Sequence, residues 1–231
     1  MRVNIRSMTS EPRRTQRRTD ALSKAQIVEA AIEILDADGE TALTFRTLGA
    51  RLATGSGALY WHVADKSDLL GAAADDVVTR VMGGIEGGLE PTETIRAIAL
   101  GVFDAIDAHP WVGAQILREP WRPALLRIFD GIGCQLQGLG VPECTQFDTA
   151  SALVNYILGV AGQNAANARS ARETDRSDRS GYLASIAARW AQLDPMEYPF
   201  VRRMAPQLRD HDDREQFIAG VNLILAGARL R

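Results

Sequence analysis

Three side chains suited to binding nucleic acid stand close together between residues 60 and 66. Tyr60 and His62 can donate and accept hydrogen bonds, and Lys66 carries a cation suited to a phosphate. Just before them lies Ala53-Thr54-Gly55-Ser56-Gly57, a run of small residues that permits a tight turn. Side chains of these types, placed behind a turn, are typical of a segment that contacts base edges and phosphates in the major groove.

Two short helical patterns must position these side chains. Thr44 stands where it can cap the first helix, whose apolar residues recur at helical spacing and should be buried: Phe45, Leu48 and Leu52. Leu59 and Val63, four residues apart, should anchor the second helix to a small core. The order helix, tight turn, helix predicts a helix-turn-helix. Trp61, inside the second pattern, is equally compatible with the core and with a contact surface.

A helix should buttress this motif from each side. Ser23 and Gln26 form a capping-box pattern, and Asp38-Gly39 ends the helix that follows. Its predicted buried stripe is Ile27, Ala31, Ile34 and Leu35. Asp65 caps a fourth helix, which runs from Ser67 towards Gly83-Gly84 and should connect the small domain to the rest of the chain.

The segment ALYWHVADKSDLL, residues 58–70, resembles the DNA-binding domain of the tetracycline-repressor (TetR) family of bacterial transcription regulators. The similarity covers about residues 21–82. In that family, Leu-Tyr-Trp-His forms the recognition helix and the lysine contacts the DNA backbone. The resemblance therefore implies a set of DNA contacts: Thr44, Arg46, Ser56, Tyr60, His62 and Lys66. The turn departs from the family at Ala53, where glycine is usual.

The charge of the chain is unevenly distributed. Its 231 residues carry a net charge of −3, yet six of the 26 basic residues precede residue 19, where Glu11 stands alone among the acids. We predict that residues 1–20 are a disordered basic arm, which either follows DNA phosphates or is a solvated tail. Neither the arm nor any later stretch has an apolar run of signal or membrane-span length, so we expect a cytoplasmic protein.

The remainder shows no strand alternation and a succession of helical patterns. We predict an all-α protein, with residues 21–66 as the helix-turn-helix domain and residues 67–231 as a larger ligand-binding and dimerisation domain. The predicted helices of this larger domain span 91–109, 111–117, 123–138, 147–168, 182–193, 198–208 and 215–230, with a mobile loop at 172–180. Three of these helices have a clear apolar stripe. In the first it comprises Ile95, Ile98, Ala99, Val102, Phe103 and Ile106, in the third Leu125, Leu126, Ile128, Phe129, Ile132 and Leu136, and in the last Phe217, Ile218, Val221, Ile224 and Leu225.

Small residues punctuate the long helix at 147–168, among them Gly159 and Gly162, so it can approach a neighbour closely. This pattern fits half of a dimer interface, or a helix buried within one chain. The ending REQFIAGVNLILAGARLR, residues 214–231, also resembles the last helix of tetracycline-repressor bodies. In that family this helix and the long one form a four-helix dimer bundle, so the resemblance implies a homodimer.

A helical body with aromatic residues inside suits a small-molecule site. The candidates, each of which also fits plain core, are Phe103, Ile106, His109, Trp111, Gln115, Trp121, Phe129, Asn155 and Tyr156. In the alignment with tetracycline repressors, the histidine that helps to bind the drug's magnesium falls on Ile116, and two polar drug contacts fall on Met82 and Ile98. The resemblance thus implies an apolar or aromatic effector rather than a magnesium–drug complex.

We expect neither catalysis nor a bound cofactor or metal. Motifs of metalloproteases, α/β-hydrolases, P-loop enzymes and dinucleotide-binding enzymes are absent from the sequence. The two cysteines, Cys134 and Cys144, lie outside any Cys/His cluster and should be buried free thiols, a redox pair being the alternative. The resulting hypothesis is a homodimeric repressor of an inverted-repeat operator, released by a small apolar effector. The alternatives are a DNA-binding regulator without an effector and a helical enzyme or carrier.

Overall fold

The computed structural model describes residues 22–173, 179–209 and 211–228. Over these residues the protein is helical without any strand, which confirms the all-α prediction. The eleven helices are α1 Lys24–Asp38, α2 Phe45–Arg51, α3 Ser56–Leu59, α4 Lys66–Gly83, α5 Pro91–Ala108, α6 Val112–Arg118, α7 Pro123–Gly138, α8 Glu143–Glu173, α9 Arg179–Ala191, α10 Pro199–Arg209 and α11 Asp213–Ala228. The predicted basic arm lies outside the described residues. In the part of the chain that is described, no helix combines the length and apolar character needed to cross a bilayer.

Reciprocal caps begin the first two helices. The Ser23 side chain accepts from the Gln26 backbone while the Gln26 side chain accepts from Ser23, and Thr44 pairs with Thr47 in the same way. Asp65 caps α4 by accepting from the backbone of Asp68. The three predicted caps are therefore confirmed.

Helix α4 joins the two ends of the molecule. It packs against α1 on one side and against α5, α6 and α7 on the other. We call α1 to α3 the head and α5 to α11 the body. The buried core runs from Ile27 in α1 to Val221 in α11 without a break. Because the core is continuous through α4, the division of the chain at residues 66 and 67 stays a prediction.

Four helices supply most of the core of the body. Helix α8 packs against α5, α7 and α11, and its inward residues are Ala150, Leu153, Val154, Ile157, Leu158, Ala161 and Ala165. The predicted stripes of α5 and α11 are confirmed in large part, since Phe103, Ile106 and Phe217 are buried. Period-3.6 spacing of apolar residues identified these faces because each helix packs one stripe against the others.

Two predictions about helices of the body are wrong. Leu126 is exposed because it lies two residues from both Ala124 and Ile128, on the opposite side of α7 from the buried stripe. The loop predicted at 172–180 is helical at both ends: α8 continues to Glu173 and α9 begins at Arg179, and only 174–178 lie outside the described residues. Arginine and glutamate favour helix when no glycine or proline intervenes.

Both cysteines are exposed, contrary to the expected burial. Cys134 stands two residues after Ile132, on a different side of α7 from the buried stripe. Cys144 lies in the first turn of α8.

Candidate DNA interface and effector site

The helix-turn-helix has a short second helix. α3 spans Ser56–Leu59, and a further turn follows in which the His62 backbone donates to the Leu59 carbonyl at 2.9 Å. The helix begins at Ser56, before the Leu-Tyr-Trp-His that the family resemblance placed in the recognition helix, because extended Gly55 serves as its N-cap. Leu59 and Val63 are buried, as predicted, and they hold this segment against the core of the head.

The turn between α2 and α3 is tightly packed. Ala53 has a positive φ of 49°, the left-handed conformation that glycine adopts without strain. This conformation gives a physical reason for the glycine usual in the family at this point. Gly49 permits a second close approach, since a Cβ there would lie 2.9 Å from the Thr54 carbonyl oxygen. The backbone of Thr54 also donates to the Gly49 carbonyl at 2.9 Å, so the turn rests directly on α2.

Two aromatic side chains project from the end of this segment. The ring of Tyr60 stacks on Phe45 of α2 with 4.4 Å between centroids, and 58% of Tyr60 stays exposed. Trp61 is 89% exposed, so of its two interpretations the surface position holds. The spacing of Leu59 and Val63 predicts this exposed position of Trp61. These two residues define the inward side of the segment, and Trp61 falls midway between them on the opposite side.

The remaining candidate DNA contacts differ in how much of each side chain is available. Arg46 and Ser56 are exposed, and His62 is half-buried. The ammonium of Lys66 donates to the Glu40 carbonyl at 2.5 Å, and the Thr44 hydroxyl belongs to the cap of α2. Because an ammonium has three N–H donors, the Glu40 contact leaves Lys66 capacity for a phosphate.

The nine candidate effector residues fall into separate groups. Inside the body, the Phe103 ring packs on Phe217 at 4.6 Å, and the Tyr156 ring lies on the same Phe217 at 5.8 Å. The Tyr156 hydroxyl donates to the Phe217 carbonyl at 3.2 Å, and burial raises the pKa of this phenol. Sequence reasoning placed Phe217 only on a buried stripe, because nothing in the sequence brings α11 to α5 and α8. Ile106 is buried and Phe129 is half-buried.

A second group faces the head. His109 and Trp111 both contact Asp36 of α1, and Gln115, which is buried, points towards Glu40. The other two candidates lie on the surface: Trp121 is 69% exposed, and Asn155 is exposed on α8. The structure therefore does not gather the nine residues into one site.

A cleft of about 310 Å³ lies between α1, α4 and α7. None of the nine effector candidates lines it. Its charged and polar residues are Lys24, Asp75, Asp76, Thr79 and Arg127. Among the described residues, no cluster of three or more His, Cys, Asp or Glu side chains could hold a metal ion.

A helix-turn-helix mounted on a larger all-helical body defines a DNA-binding transcriptional regulator. Residues 27–73 match the profile of the bacterial regulatory proteins of the tetR family. The chain is 50% identical to a TetR transcriptional regulator from Streptomyces coelicolor, over 90% of this chain and 97% of that one, with a TM-score of 0.81. This protein therefore belongs to the TetR family of transcriptional regulators.

Two further relatives are more distant. An HTH-type transcriptional regulator from Saccharopolyspora erythraea is 31% identical over 149 residues, which span 64% of this chain and 63% of that protein. ActR from Streptomyces coelicolor, crystallised with actinorhodin, shares the fold at 24% identity, with a TM-score of 0.71 over 90% of this chain and 97% of ActR.

Proposed function

We propose that this TetR-family regulator is a homodimeric repressor that binds an inverted-repeat operator and leaves it when a small, largely apolar effector binds the body. The observation that carries the proposal is the exposed recognition segment. Its anchors Leu59 and Val63 are buried, while Tyr60 and Trp61 project into solvent beside the exposed Arg46 and Ser56. Two large aromatic side chains exposed next to each other form an apolar patch of the kind that marks an interaction surface.

Each exposed residue type suits a part of duplex DNA. Tyr60 and His62 can hydrogen-bond to base edges or phosphates, and the Trp61 ring can contact a thymine methyl group. Arg46 and Lys66 supply charge to the phosphates, while Ser56 and Thr44 offer hydroxyl groups at the starts of α3 and α2. The stack of Tyr60 on Phe45 fixes the aromatic ring before DNA arrives, which lowers the entropy lost on binding.

A dimer through α8 and α11 is supported by the outer surfaces of these packed helices. Gly159 and Gly162 of α8 have open space beside them, since a Cβ at either would meet no described atom within 4 Å. Leu223 of α11 is 74% exposed. The two sequence interpretations of the long helix therefore apply to different sides of it: one side is buried within the chain, and the other is available to a second copy.

The aromatic group Phe103, Tyr156 and Phe217 supports an apolar effector site in the body. Ile116, which aligns with the magnesium-binding histidine of tetracycline repressors, and Ile98, which aligns with a polar drug contact, are both buried. ActR, which shares this fold, was crystallised with actinorhodin, so the fold can hold a small molecule. Because α5 carries Phe103 and packs against α4, an effector there can change how α4 carries the head.

Selection of duplexes from a random pool by the wild-type protein tests the proposal. We expect an inverted repeat whose half-sites lie about one helical turn apart, 34–36 Å, or a multiple of it. Selected sequences with a single half-site would contradict the dimeric mode. Release of the selected duplex by a fraction of apolar metabolites is expected, and a complex that survives every fraction would favour a regulator without an effector.

Leu223→Glu tests the dimer. A glutamate at a buried interface would be an unpaired charge, so we expect sedimentation to show a monomer and binding to the inverted repeat to be lost. Leu126→Glu on α7 is the matched control, because Leu126 is exposed outside α8 and α11. A variant at Leu223 that sediments as the wild type would place the interface elsewhere.

A further inference from the structure

One carboxylate connects the head directly to the body. Asp36, near the end of α1, lies 2.8 Å from His109 Nδ1, and its Oδ1 also accepts from Trp111 Nε1 at 2.8 Å. Because a carboxylate only accepts, the proton lies on His109 Nδ1. His109 ends α5 and Trp111 begins α6, so both donors belong to the same corner of the body. Trp111 is buried, which shields its N–H from water.

Neighbouring contacts support the same junction. Gln115 of α6 lies 3.5 Å from the Glu40 carboxylate, just past the end of α1. The Glu40 carbonyl in turn receives the Lys66 ammonium at the start of α4. The last turn of α1 is thus held by the α5–α6 corner and by α4 at once.

The opposite end of α1 is separated from the body. The 310 Å³ cleft lies between Lys24, Ala25 and Val28 of α1 and Pro123 and Arg127 of α7. α1 is therefore fastened to the body at its C-terminal end and faces open space towards α7 at its N-terminal end. Without the junction at its C-terminal end, α1 could tilt relative to the body, with the cleft widening or narrowing.

We propose that Asp36 is a positioning residue that fixes the orientation of the head on the body, and through it the separation of the two recognition segments in a dimer. This inference rests on the proposed function. Without the contacts of Asp36, only α4 and the 3.5 Å contact of Gln115 with Glu40 would remain of the connections described above, and the head could tilt about α4. The contacts of Asp36 add a second point of attachment and stop that motion.

Asp36→Ala tests the role of the carboxylate. Alanine is the best helix former, and Asp36 is exposed on α1, so the head should fold. Binding is measured to a duplex with one half-site, to the selected inverted repeat, and to repeats with one base pair added or removed. One base pair moves a half-site by about 3.4 Å along the duplex and rotates it as well, so a rigid dimer is sensitive to the change.

For the wild type we expect each one-base-pair change to weaken binding by about tenfold or more. A rigid dimer on a displaced half-site would lose at least one charged hydrogen bond to the DNA, and such a bond contributes about this factor. In Asp36→Ala the single half-site should bind within about twofold of the wild type, and neighbouring spacings should differ by less than about threefold. Asp38→Ala is the matched control: it removes the same charge from the exposed end of the same helix. Its spacing profile, which is the dependence of binding affinity on the separation of the two half-sites, should match that of the wild type. Trp111→Phe keeps an aromatic ring but removes the N–H donor, and its profile should lie between the two.

An Asp36→Ala profile as sharp as the wild type would overturn the inference. Equal losses on the single half-site and on the repeats would also overturn it, because they would show that Asp36 acts on the folding of the head. Should Asp36→Ala fail to fold by circular dichroism, the profile of Trp111→Phe decides between the same outcomes. A wild-type protein that selects no inverted repeat would contradict the proposed function itself, and this inference with it.

Discussion

Gly49→Ala and Gly57→Ala form a matched pair that tests how the turn sets the recognition segment. Both glycines are helical, and alanine favours a helix over glycine by up to about 1 kcal/mol. Position 57 has room, since a Cβ there meets no described atom within 4 Å. At position 49 the Cβ would lie 2.9 Å from the Thr54 carbonyl oxygen, a backbone atom that cannot rotate away.

Overpacking a tight site costs about 1–3 kcal/mol, which exceeds the gain in helix propensity. We therefore expect Gly49→Ala to lower the free energy of unfolding by about 1 kcal/mol net, and Gly57→Ala to raise it by up to about 0.5–1 kcal/mol. Urea unfolding followed by circular dichroism measures both. Because Thr54 lies in the turn, its displacement should also shift α3 and weaken specific DNA binding by about tenfold, as for one lost base contact. If both variants stabilise the protein equally, the turn does not rest on α2 as described.

The remaining predictions concern the same turn, the DNA backbone and the body. Ala53→Gly removes the left-handed conformation of an alanine, which costs about 1–2 kcal/mol, but glycine also stabilises the unfolded chain by about 0.4–1 kcal/mol through its entropy. Urea unfolding should therefore show a free energy of unfolding that is higher by less than about 1.5 kcal/mol. A decrease would contradict backbone strain at Ala53. Lys66→Ala should weaken DNA binding similarly on all sequences, and it should lower the slope of log binding constant against log salt concentration by about one unit. A loss that depends on the DNA sequence would instead indicate that Lys66 contacts a base. Burial raises the pKa of Tyr156, so the unfolded chain releases this proton first as the pH rises, and stability falls above about pH 10. In Tyr156→Phe the urea midpoint should fall less steeply there than in the wild type, and an identical fall would exclude Tyr156 as the titrating group.

Local patterns predicted the helices well. Ser23 with Gln26, Thr44 and Asp65 each signalled a helix start, because a cap needs only residues within one turn of it. The apolar stripe of α5 predicted its buried side for the same reason. Two errors arose from local rules applied too broadly. Leu126 was included in the stripe of α7 because it is apolar, although its position is opposite the buried side. The run at 172–180 was predicted to be a loop because it is charged and lacks apolar residues.

The candidate effector residues stay predictions, and the sequence did not reveal how they are grouped, since their positions depend on partners far away in the sequence. His109 and Trp111 are 73 and 75 residues from Asp36, and no spacing rule connects them. Both were assigned to the effector site as aromatic residues of the body, yet the structure places them at the junction with α1. Phe217 was missed for the complementary reason, because its neighbours Phe103 and Tyr156 lie on other helices.

The position of α5 indicates how the proposed effector site would communicate with the head. Phe103 packs in the aromatic group of the body, and six residues later the same helix ends at His109, which contacts Asp36. At 1.5 Å per residue these positions are about 9 Å apart on one rigid rod. A ligand that displaced Phe103 from Phe217 would therefore move the attachment of α1 directly, and it would affect α4 through the packing of α5 against it. The ligand changes the orientation of the head only if its affinity differs between the two orientations. Loosening Asp36 should therefore reduce the effect of any effector on DNA binding more than it reduces binding of DNA itself.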